Sequence, residues 1–180
     1  SYAMNKLFPV IYVILIILLS CNRDGEKLFF VKSGVPSASL DLPSHWSLEG
    51  SYVESQGEYF LEADRALLRG EFRMEIKLKI NTHQAVLGVL AGDNMFSFNN
   101  LEEEFPGELT LEGPSLHKAH RSGFKPEEVI PLNTPFTIDI TYRDQVITCK
   151  VDDKEVISVD VVNEPFGRIM LEGWGEEGTV

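Results

Sequence analysis

Residues 71–80 alternate between charged and apolar side chains without interruption. The apolar series starts at Phe72 and ends at Ile80, and the charged series starts at Glu71 and ends at Lys79. Successive side chains of a strand point to opposite faces of a sheet, so this period of two predicts a strand with one buried and one solvated face. No stretch of the sequence shows a sustained helical period. The chain is therefore predicted to be built mainly from strands.

The same alternation returns in residues 136–142, and two further runs, 145–151 and 156–161, surround Asp152 and Asp153. Aspartate tolerates the backbone conformations of tight turns, so these two runs are predicted to form a hairpin. Shorter strands, bounded by turn residues, are predicted at residues 46–48, 59–62, 66–69, 86–91, 95–98, 109–112 and 168–171. Many strands and little helix indicate an all-β fold, an antiparallel β-sandwich or barrel.

Three segments depart from the alternating pattern. Residues 86–91 are apolar or small throughout, which predicts a strand in the middle of a sheet. Residues 125–129 predict one short helix, because Pro126 suits a first helical position. Residues 99–135 are rich in glutamate, proline and glycine, and long connections of this kind are usually functional or mobile. A ligand site is therefore expected first in this last segment.

The first twenty-one residues resemble a bacterial lipoprotein signal peptide. Lys6 precedes a mostly apolar run over residues 7–19, and Ser20 and Cys21 follow that run. The run is short for a membrane span, which takes about 20 apolar residues. In the lipobox that this junction resembles, the cysteine becomes the acylated first residue of the mature protein. The alternatives are an uncleaved anchor helix and a signal peptide followed by an ordinary cysteine.

The lipoprotein interpretation divides the chain into three parts. Residues 1–20 are assigned to cloning residues ahead of Met4 plus the signal peptide, residues 21–40 to a lipidated N-terminus and linker, and residues 41–180 to one sandwich domain. Acyl chains on Cys21 would hold the protein firmly on a membrane. The expected location is extracytoplasmic, on a bacterial outer membrane, at the cell surface or facing the periplasm.

The charge and the cysteine content exclude two classes of function. The chain has 16 basic and 28 acidic residues, a formal net charge of −12. A surface of this sign repels phosphate groups, so no nucleic acid partner is expected, and membrane attachment is expected through lipid on Cys21. Cys149 alternates with Ile147 and Val151, which predicts a buried small hydrophobe and not a nucleophile.

Several short segments follow one another in an order that is typical of one group of sandwich domains. They are LRGEFRMEIKL at 68–78, FSF at 96–98, LEGP at 111–114, TPFTI at 134–138, VDDKEV at 151–156, GRIML at 167–171, and Trp174. This order resembles the concanavalin A-like, laminin-G-like jelly-roll domain that precedes the catalytic propeller of some bacterial exo-α-sialidases. The resemblance covers roughly residues 46–180. It implies a jelly-roll fold, and it implies a downstream catalytic domain as a candidate partner.

A second family with the same kind of sandwich, the 3-keto-disaccharide hydrolase-like proteins, also resembles this chain. It shares an early tryptophan, here Trp46, the Gly-Glu-Phe strand at 70–72 and a late glycine-containing strand. This second resemblance implies the same fold and an alternative function, that of a small glycoside hydrolase. The two resemblances therefore agree on the fold and differ on the activity.

No catalytic residue is predicted in the chain. The sialidase family uses Ser-x-Asp-x-Gly-x-Thr-Trp boxes, and the sequence contains none. Retaining glucanases place Glu-x-Asp-x-x-Glu on one strand so that two carboxylates lie about 5.5 Å apart, and the nearest counterpart here, Glu62-Ala63-Asp64, has Leu67 at the last acid position. His117 and His120 are spaced as two metal ligands, but a site needs a third. No cofactor and no metal are therefore expected.

Sugar-binding sites combine aromatic faces with a few polar side chains that bind hydroxyl groups. The candidate carbohydrate-binding residues are Trp174, Trp46, Tyr52 and Phe124 as aromatic surfaces, with His117, Arg121 and Glu112 as polar partners. Both tryptophans lie beside predicted strands, where a packing role is the alternative. The leading hypothesis is a lipid-anchored, non-catalytic, lectin-like sandwich that binds a glycan or oligosaccharide or supports a sialidase. The small hydrolase and a purely structural interdomain module stay open as alternatives.

Overall fold

The computed structural model describes residues 31–32, 35–36, 46–49, 52–58, 61–84, 86–100 and 107–179, with side chains in 68–84, 86–98 and 107–173. Within these ranges lie fourteen strands and one short helix. The strands are β1 (Val31–Lys32), β2 (Val35–Pro36), β3 (Trp46–Glu49), β4 (Tyr52–Glu58), β5 (Leu61–Arg69), β6 (Phe72–Leu78), β7 (Val86–Ala91), β8 (Asn94–Asn100), β9 (Glu108–Glu112), β10 (His120–Arg121), β11 (Phe136–Arg143), β12 (Val146–Val151), β13 (Lys154–Asp160) and β14 (Phe166–Thr179), and the helix is α1 (Pro126–Val129). None of the helical structure in the described ranges has the length and apolar character of a membrane span.

The strands form two main sheets and one short pair. The large sheet has the order β10-β9-β8-β7-β14-β4-β3, and β5 also pairs with β14. The small sheet has the order β13-β12-β11-β6, and β1 pairs with β2. All these pairings are antiparallel. The structure confirms the predicted antiparallel β-sandwich with little helix.

One hydrophobic core lies between the two main sheets. The large sheet contributes Leu87, Val89, Ala91, Phe96, Phe98, Leu109, Leu111 and Leu171, and the small sheet contributes Leu78, Phe136, Ile138, Ile140, Tyr142, Ile147, Cys149, Val151, Val156 and Ile157. Phe98 of β8 meets Phe136 of β11 edge to face, with ring centroids 6.4 Å apart. Burial of these apolar side chains from both inner faces is the main stabilising term of such a sandwich.

The strands with the clearest sequence pattern are confirmed. β6 and β11 pair directly, with Ile76 opposite Ile138, and their apolar residues turn towards the core. β7 lies between β8 and β14, as its continuous apolar sequence predicts. In β7, Leu87 and Val89 face the core, and Leu90 is also buried, although it does not belong to the core cluster.

The predicted hairpin at Asp152 and Asp153 is also confirmed. It connects β12 to β13, and both aspartates have positive φ, at 46° and 66°. Two consecutive residues in the left-handed region give the turn whose twist matches that of the flanking strands. The Asp152 carboxylate accepts the backbone N–H of Thr137 at 2.9 Å, which ties the turn to β11.

The structure differs from the prediction at several strands. β1, β2, β4 and β10 were not predicted, and β5 is one strand of nine residues where the sequence predicts two shorter ones. β14 runs from Phe166 to Thr179, well past the predicted 168–171. Neighbouring strands hold these segments extended: β14 pairs with β7, β5 and β4, with a register shift between Arg168 and Met170. Pairing with distant strands therefore decided the length of β5 and β14, whereas β4 also forms a local hairpin with β3.

The predicted short helix and the predicted burial of Cys149 are confirmed. Pro126 opens α1, and the N–H of Lys125 donates to the Glu128 carboxylate at 2.6 Å. Cys149 is a fully buried free thiol in β12, and burial raises the pKa of that thiol well above its usual range. A thiol in this environment is a packing group and not a nucleophile.

Candidate functional site

Two rows of side chains lie on the face of the large sheet that turns away from the core, which we call the outer face. The outer row runs across five strands in direct register and consists of Glu172, Gly88, Ser97, Thr110 and Arg121. The flanking row consists of Met170, Leu90, Met95 and Glu112. Both rows alternate along their strands with core residues, which fixes their orientation.

The outer row changes from buried to exposed along its length. Gly88, Ser97 and Thr110 are buried, Glu172 is half-buried at one end, and Arg121 is exposed on the short strand β10 at the other. Strands with polar side chains at alternate positions normally present those side chains to water. Here the polar groups in the middle of the row form a buried floor, and the charged groups lie at its two ends.

Thr110 is the most unusual residue of this floor. Its side chain is 1% exposed, and its hydroxyl oxygen has no hydrogen-bond partner in the described part of the protein. A buried hydroxyl without a partner costs about 1–3 kcal/mol, and buried polar groups in native proteins are normally satisfied by protein, ordered water or ligand. The Thr110 hydroxyl is therefore a buried polar group that the described part of the protein leaves without a hydrogen-bond partner.

Two methionines add apolar surface beside this floor. Met95 and Met170 are half-buried in the flanking row, on either side of the buried Leu90. Met95 extends across Gly88, because a Cβ atom at Gly88 would collide with the Met95 sulfur and lie 3.2 Å from the Ser97 hydroxyl. The absence of a side chain at Gly88 leaves the space that the Met95 side chain occupies.

Arg121 is held by a carboxylate on the neighbouring strand. Its Nε donates to Glu108 Oε2 at 3.1 Å, and a second guanidinium nitrogen bonds the other carboxylate oxygen, so the pair is bidentate. The hydrogen bond from Arg121, followed by its charge, lowers the pKa of Glu108. Two-point contact fixes the orientation of the guanidinium on the rim of the floor.

Two of the predicted polar partners come together on the outer face. Glu112 lies in the flanking row on β9, and Arg121 lies on β10 in the outer row. His117 is exposed in the connection between these strands. Phe124 packs partly against the core, and the Lys154 ammonium lies 4.2 Å from its ring centroid. The structure thus gives Phe124 a position at the seam of the two sheets, apart from the outer face.

For the three other predicted aromatic residues, the structure describes the backbone but not the side chain. Trp174 pairs with Val86 and with Glu58, Trp46 pairs with Ser55, and Tyr52 pairs with Glu49. Their roles in binding stay predictions. Cys21, with the whole predicted signal peptide, also lies outside the described residues.

Sequence reasoning missed Ser97 and Thr110, which form the floor. Each hydroxyl residue alternates with large apolar neighbours, Phe96 and Phe98 in β8 and Leu109 and Leu111 in β9. That pattern is ordinary for the solvated side of a strand. The period of two places Thr110 on the same face as Glu112, and this spacing was the one sequence signal that could have added Thr110 to the candidate residues.

A cleft lies on the outer face of the small sheet. This small-sheet cleft has a volume of about 350 Å³ and is lined by Arg73, Glu75, Lys77, Thr137, Asp139, Asp152 and Asp153. Arg73 donates to Asp139 at 2.7 Å and to Glu75 at 3.4 Å. Every lining residue is polar or charged, so the cleft lacks the apolar surface against which sugar rings pack.

Several acidic and amide side chains that suit metal binding are used inside the fold. Asn94 is buried and bonds Ser115 through both ends of its amide, at 2.9 and 3.0 Å. Asp93 accepts the N–H and the Nε–H of Arg168, both at 3.1 Å, and the backbone contact from Arg168 is the main cause of a lowered Asp93 pKa. In the described part of the chain, no group of three or more such ligands converges on one point.

Glu112 and Glu172, two carboxylates of the outer face, are not spaced as a glycosidase pair. Glu172 lies on β14 and Glu112 on β9, with β7 and β8 between them. Three strand spacings of about 4.8 Å separate them by about 14 Å, whereas retaining and inverting glycosidases need about 5–10 Å. These two residues therefore do not form an acid and nucleophile pair.

Comparison with solved structures shows a shared fold at low sequence identity. The carbohydrate recognition domain of Emp47p superposes with a TM-score of 0.61 at 13% identity, covering 86% of this chain and 92% of that one. The carbohydrate-binding module CBM66 from Bacillus subtilis gives 0.50 at 16% identity, over 75% and 86% of the two chains. A sialidase gives 0.50 at 13% identity over 77% of this chain, and the match spans 13% of the sialidase.

The sequence comparisons give no family assignment. No protein-family model matches the sequence, and no curated protein matches it significantly. The structural similarity confirms the jelly-roll architecture that the family resemblance implies, and a domain of similar fold forms part of a longer sialidase. The protein has a concanavalin A-like β-sandwich fold.

Proposed function

We propose that this protein is a non-catalytic carbohydrate-binding β-sandwich whose ligand site is the outer face of the large sheet. The observation that carries the proposal is the buried Thr110 hydroxyl, which has no partner in the described part of the protein. It lies between Ser97 and Arg121 in one cross-strand row. A glycan hydroxyl, bound directly or through one water, would satisfy it.

The composition of the face supports a sugar over other ligands. Carbohydrate sites combine apolar contact surface with a small number of oriented hydroxyl, carboxylate and guanidinium groups. Met95 and Met170 provide apolar surface, and Ser97, Glu112 and Arg121 provide polar groups of these kinds. Two proteins of similar fold are a carbohydrate recognition domain and a carbohydrate-binding module, which supports the same ligand class.

The test is glycan binding by the wild-type chain and by Thr110→Val. A glycan array followed by calorimetry identifies a ligand, and the variant is expected to bind it at least about tenfold more weakly, the loss of roughly one hydrogen bond. Val is isosteric and removes an unsatisfied group, so stability should stay equal or rise by up to about 1 kcal/mol. Weaker binding together with unchanged or higher stability separates a ligand contact from a structural role.

The matched control is Thr148→Val, a half-buried threonine on the outer face of the small sheet. It is expected to leave both glycan affinity and unfolding midpoint unchanged. A wild-type chain that binds no glycan at about 1 mM ligand, or a Thr110→Val variant with full affinity, would contradict the proposed site.

We further propose that lipid on Cys21 anchors the sandwich to a bacterial outer membrane, at the cell surface or facing the periplasm. There it would act as the accessory domain of a sialidase or related glycan-degrading system, with a downstream catalytic domain. The lipobox-like junction at Ser20 and Cys21 supports the anchor, and the similar domain within a sialidase supports the accessory role.

Alkyne-palmitate labelling in a bacterial host tests the anchor. The label should be lost in Cys21→Ser and kept in Cys149→Ser. Label retained in Cys21→Ser would remove the anchor.

A further inference from the structure

We propose that β6, at the edge of the small sheet, is an interface through which two copies of this chain pair as a symmetric antiparallel dimer. In the described part of the chain, β6 pairs with β11 on one side and with no strand on the other. Such an edge is a template for a further strand, and the charged residues on it limit which strand can add. All four strands of the small sheet are described with their side chains, and this inference does not depend on the proposed sugar site.

The exposed charges of β6 are complementary to those of a second copy in one register. On the outer face of the small sheet they alternate in sign, in the order Glu71, Arg73, Glu75 and Lys77. Antiparallel pairing centred on Met74 places Arg73 opposite the partner's Glu75, and Glu71 opposite the partner's Lys77. A shift of two residues would instead place Arg73 against the partner's Arg73, or Glu75 against the partner's Glu75. The charge pattern therefore specifies one register.

A second copy would also improve the surroundings of Glu75 within each chain. Glu75 lies directly opposite Asp139 of β11, and like charges in this position are destabilising. Arg73 reaches both carboxylates, but its contact with Glu75 is long, at 3.4 Å, against 2.7 Å to Asp139. The proposed register places the partner's Arg73 on the open side of Glu75, so that this carboxylate would lie between Asp139 and a cation.

The core-facing residues of β6 are less buried than those of its neighbour. Phe72, Met74 and Ile76 are half-buried, whereas every core-facing residue of β11 is buried. In the proposed register, Phe72 lies opposite the partner's Ile76 and Met74 opposite the partner's Met74, so pairing covers this apolar strip on both copies. The contact is one strand wide, which is small for a protein interface, so the dimer is expected to be weak and concentration-dependent.

Sedimentation velocity on the full chain, in a mild non-ionic detergent that disperses the apolar residues 7–19, tests the dimer. At about 50 mM salt, the wild-type chain is expected to show a monomer–dimer equilibrium with a dissociation constant on the order of 10–100 µM. Arg73→Glu and Glu75→Lys each bring two like-charge pairs into the symmetric interface. Each variant should therefore dimerise at least about tenfold more weakly.

The equimolar mixture of these two variants tests the register. In a mixed dimer, the glutamate introduced at position 73 meets the lysine introduced at position 75, and the two unchanged residues form the other pair. Dimerisation should return to within about threefold of wild type, which misfolding of either variant would not produce. Lys118→Glu is the control, because it makes the same change of charge as Arg73→Glu at an exposed residue outside β6 and should leave dimerisation unchanged.

Three results would overturn the inference. The first is a wild-type chain that stays monomeric at about 500 µM. The second is a dimer that both variants leave unchanged while they keep the circular dichroism of wild type, as expected for two exposed side chains. The third is a mixture that dimerises no better than the separate variants, because pairing centred on Met74 requires the rescue.

Discussion

The outer faces of the two main sheets have the same alternating sequence pattern but differ in side-chain burial and in hydrogen bonding. On the small sheet, Arg73 and Glu75 are exposed, with 65% and 49% of their side-chain surface accessible, and Arg73 forms ion pairs with Glu75 and with Asp139 on the neighbouring strand. On the large sheet, the middle of the outer row is buried, and the hydroxyl of Thr110 has no described partner. The described face of the small sheet is exposed and its charges are paired, whereas the middle of the large-sheet face is buried and includes a hydroxyl without a described partner.

This difference shows why alternation alone does not identify a site. Both faces alternate with core residues, so both satisfy the rule for a half-buried strand. Cross-strand pairing of opposite charges makes the small-sheet face stable in water without a ligand. A buried hydroxyl without a partner carries a desolvation cost, and a hydrogen bond from a bound partner would remove that cost. The large-sheet face is therefore the better place to look for function.

Gly88→Val should have the largest effect on stability and on glycan binding, because it changes the buried middle of the large-sheet face. The new side chain would collide with Met95 and crowd Ser97. Overpacking costs about 1–3 kcal/mol, while a β-branched residue in a strand recovers at most about 1 kcal/mol. The expected net loss is about 1–2 kcal/mol in the free energy of unfolding, measured by urea denaturation, together with loss of glycan binding.

The double variant Gly88→Val with Met95→Ala separates crowding from other causes. Met95→Ala makes room for the valine, so Gly88→Val in that background should be neutral or stabilising, about 0–1 kcal/mol. If Gly88→Val destabilises equally in both backgrounds, Met95 does not lie over Gly88 in solution, and the proposed apolar part of the site is wrong.

The sequence predicted the strands whose pattern is local. β6, β11 and the β12–β13 hairpin carry their own alternation and turn residues, so period and turn chemistry were sufficient. β4 was missed although it forms a local hairpin with β3, and the full length of β14 was missed because pairing with distant strands holds it extended. Local sequence does not contain that information.

The candidate site was predicted less completely than the fold. Arg121 and Glu112 were chosen as polar groups of a long connection, and the structure places them on two paired strands of one face. Thr110 was missed because its importance depends on burial and on an absent partner, and both arise from the packing of the face. A buried hydroxyl and a solvated one have the same sequence pattern.

Acidic pH should have an intermediate effect on stability, through the contact between Asp93 and Arg168 at the end of the large sheet. The Arg168 backbone N–H, with help from the Arg168 side chain, lowers the pKa of Asp93. A lowered carboxyl pKa adds stability above its unfolded value of about 3.9, and this contribution is lost as pH falls through the lower folded value. Asp93→Asn should therefore be less stable than wild type at neutral pH and should approach it in acid.

The control for this pH effect is Asp144→Asn, at another aspartate with positive φ, in the β11–β12 turn. Urea midpoints of the three proteins would be compared between about pH 6 and pH 2, where the carboxyl groups titrate. An acid dependence that is the same in Asp93→Asn and wild type would show that the Asp93–Arg168 contact contributes little in solution.

Arg73→Ala on the small sheet should give the smallest effect. Arg73 bridges Asp139 and Glu75, which oppose each other directly in register, so its removal leaves two like charges face to face. Because all these groups contact water, the urea midpoint should fall slightly at low ionic strength and recover in high salt. Lys77→Ala, on the same strand face, is the control and should change less. Glycan binding should be unaffected, and a folded Arg73→Ala variant without glycan binding would move the site from the large sheet to the small-sheet cleft.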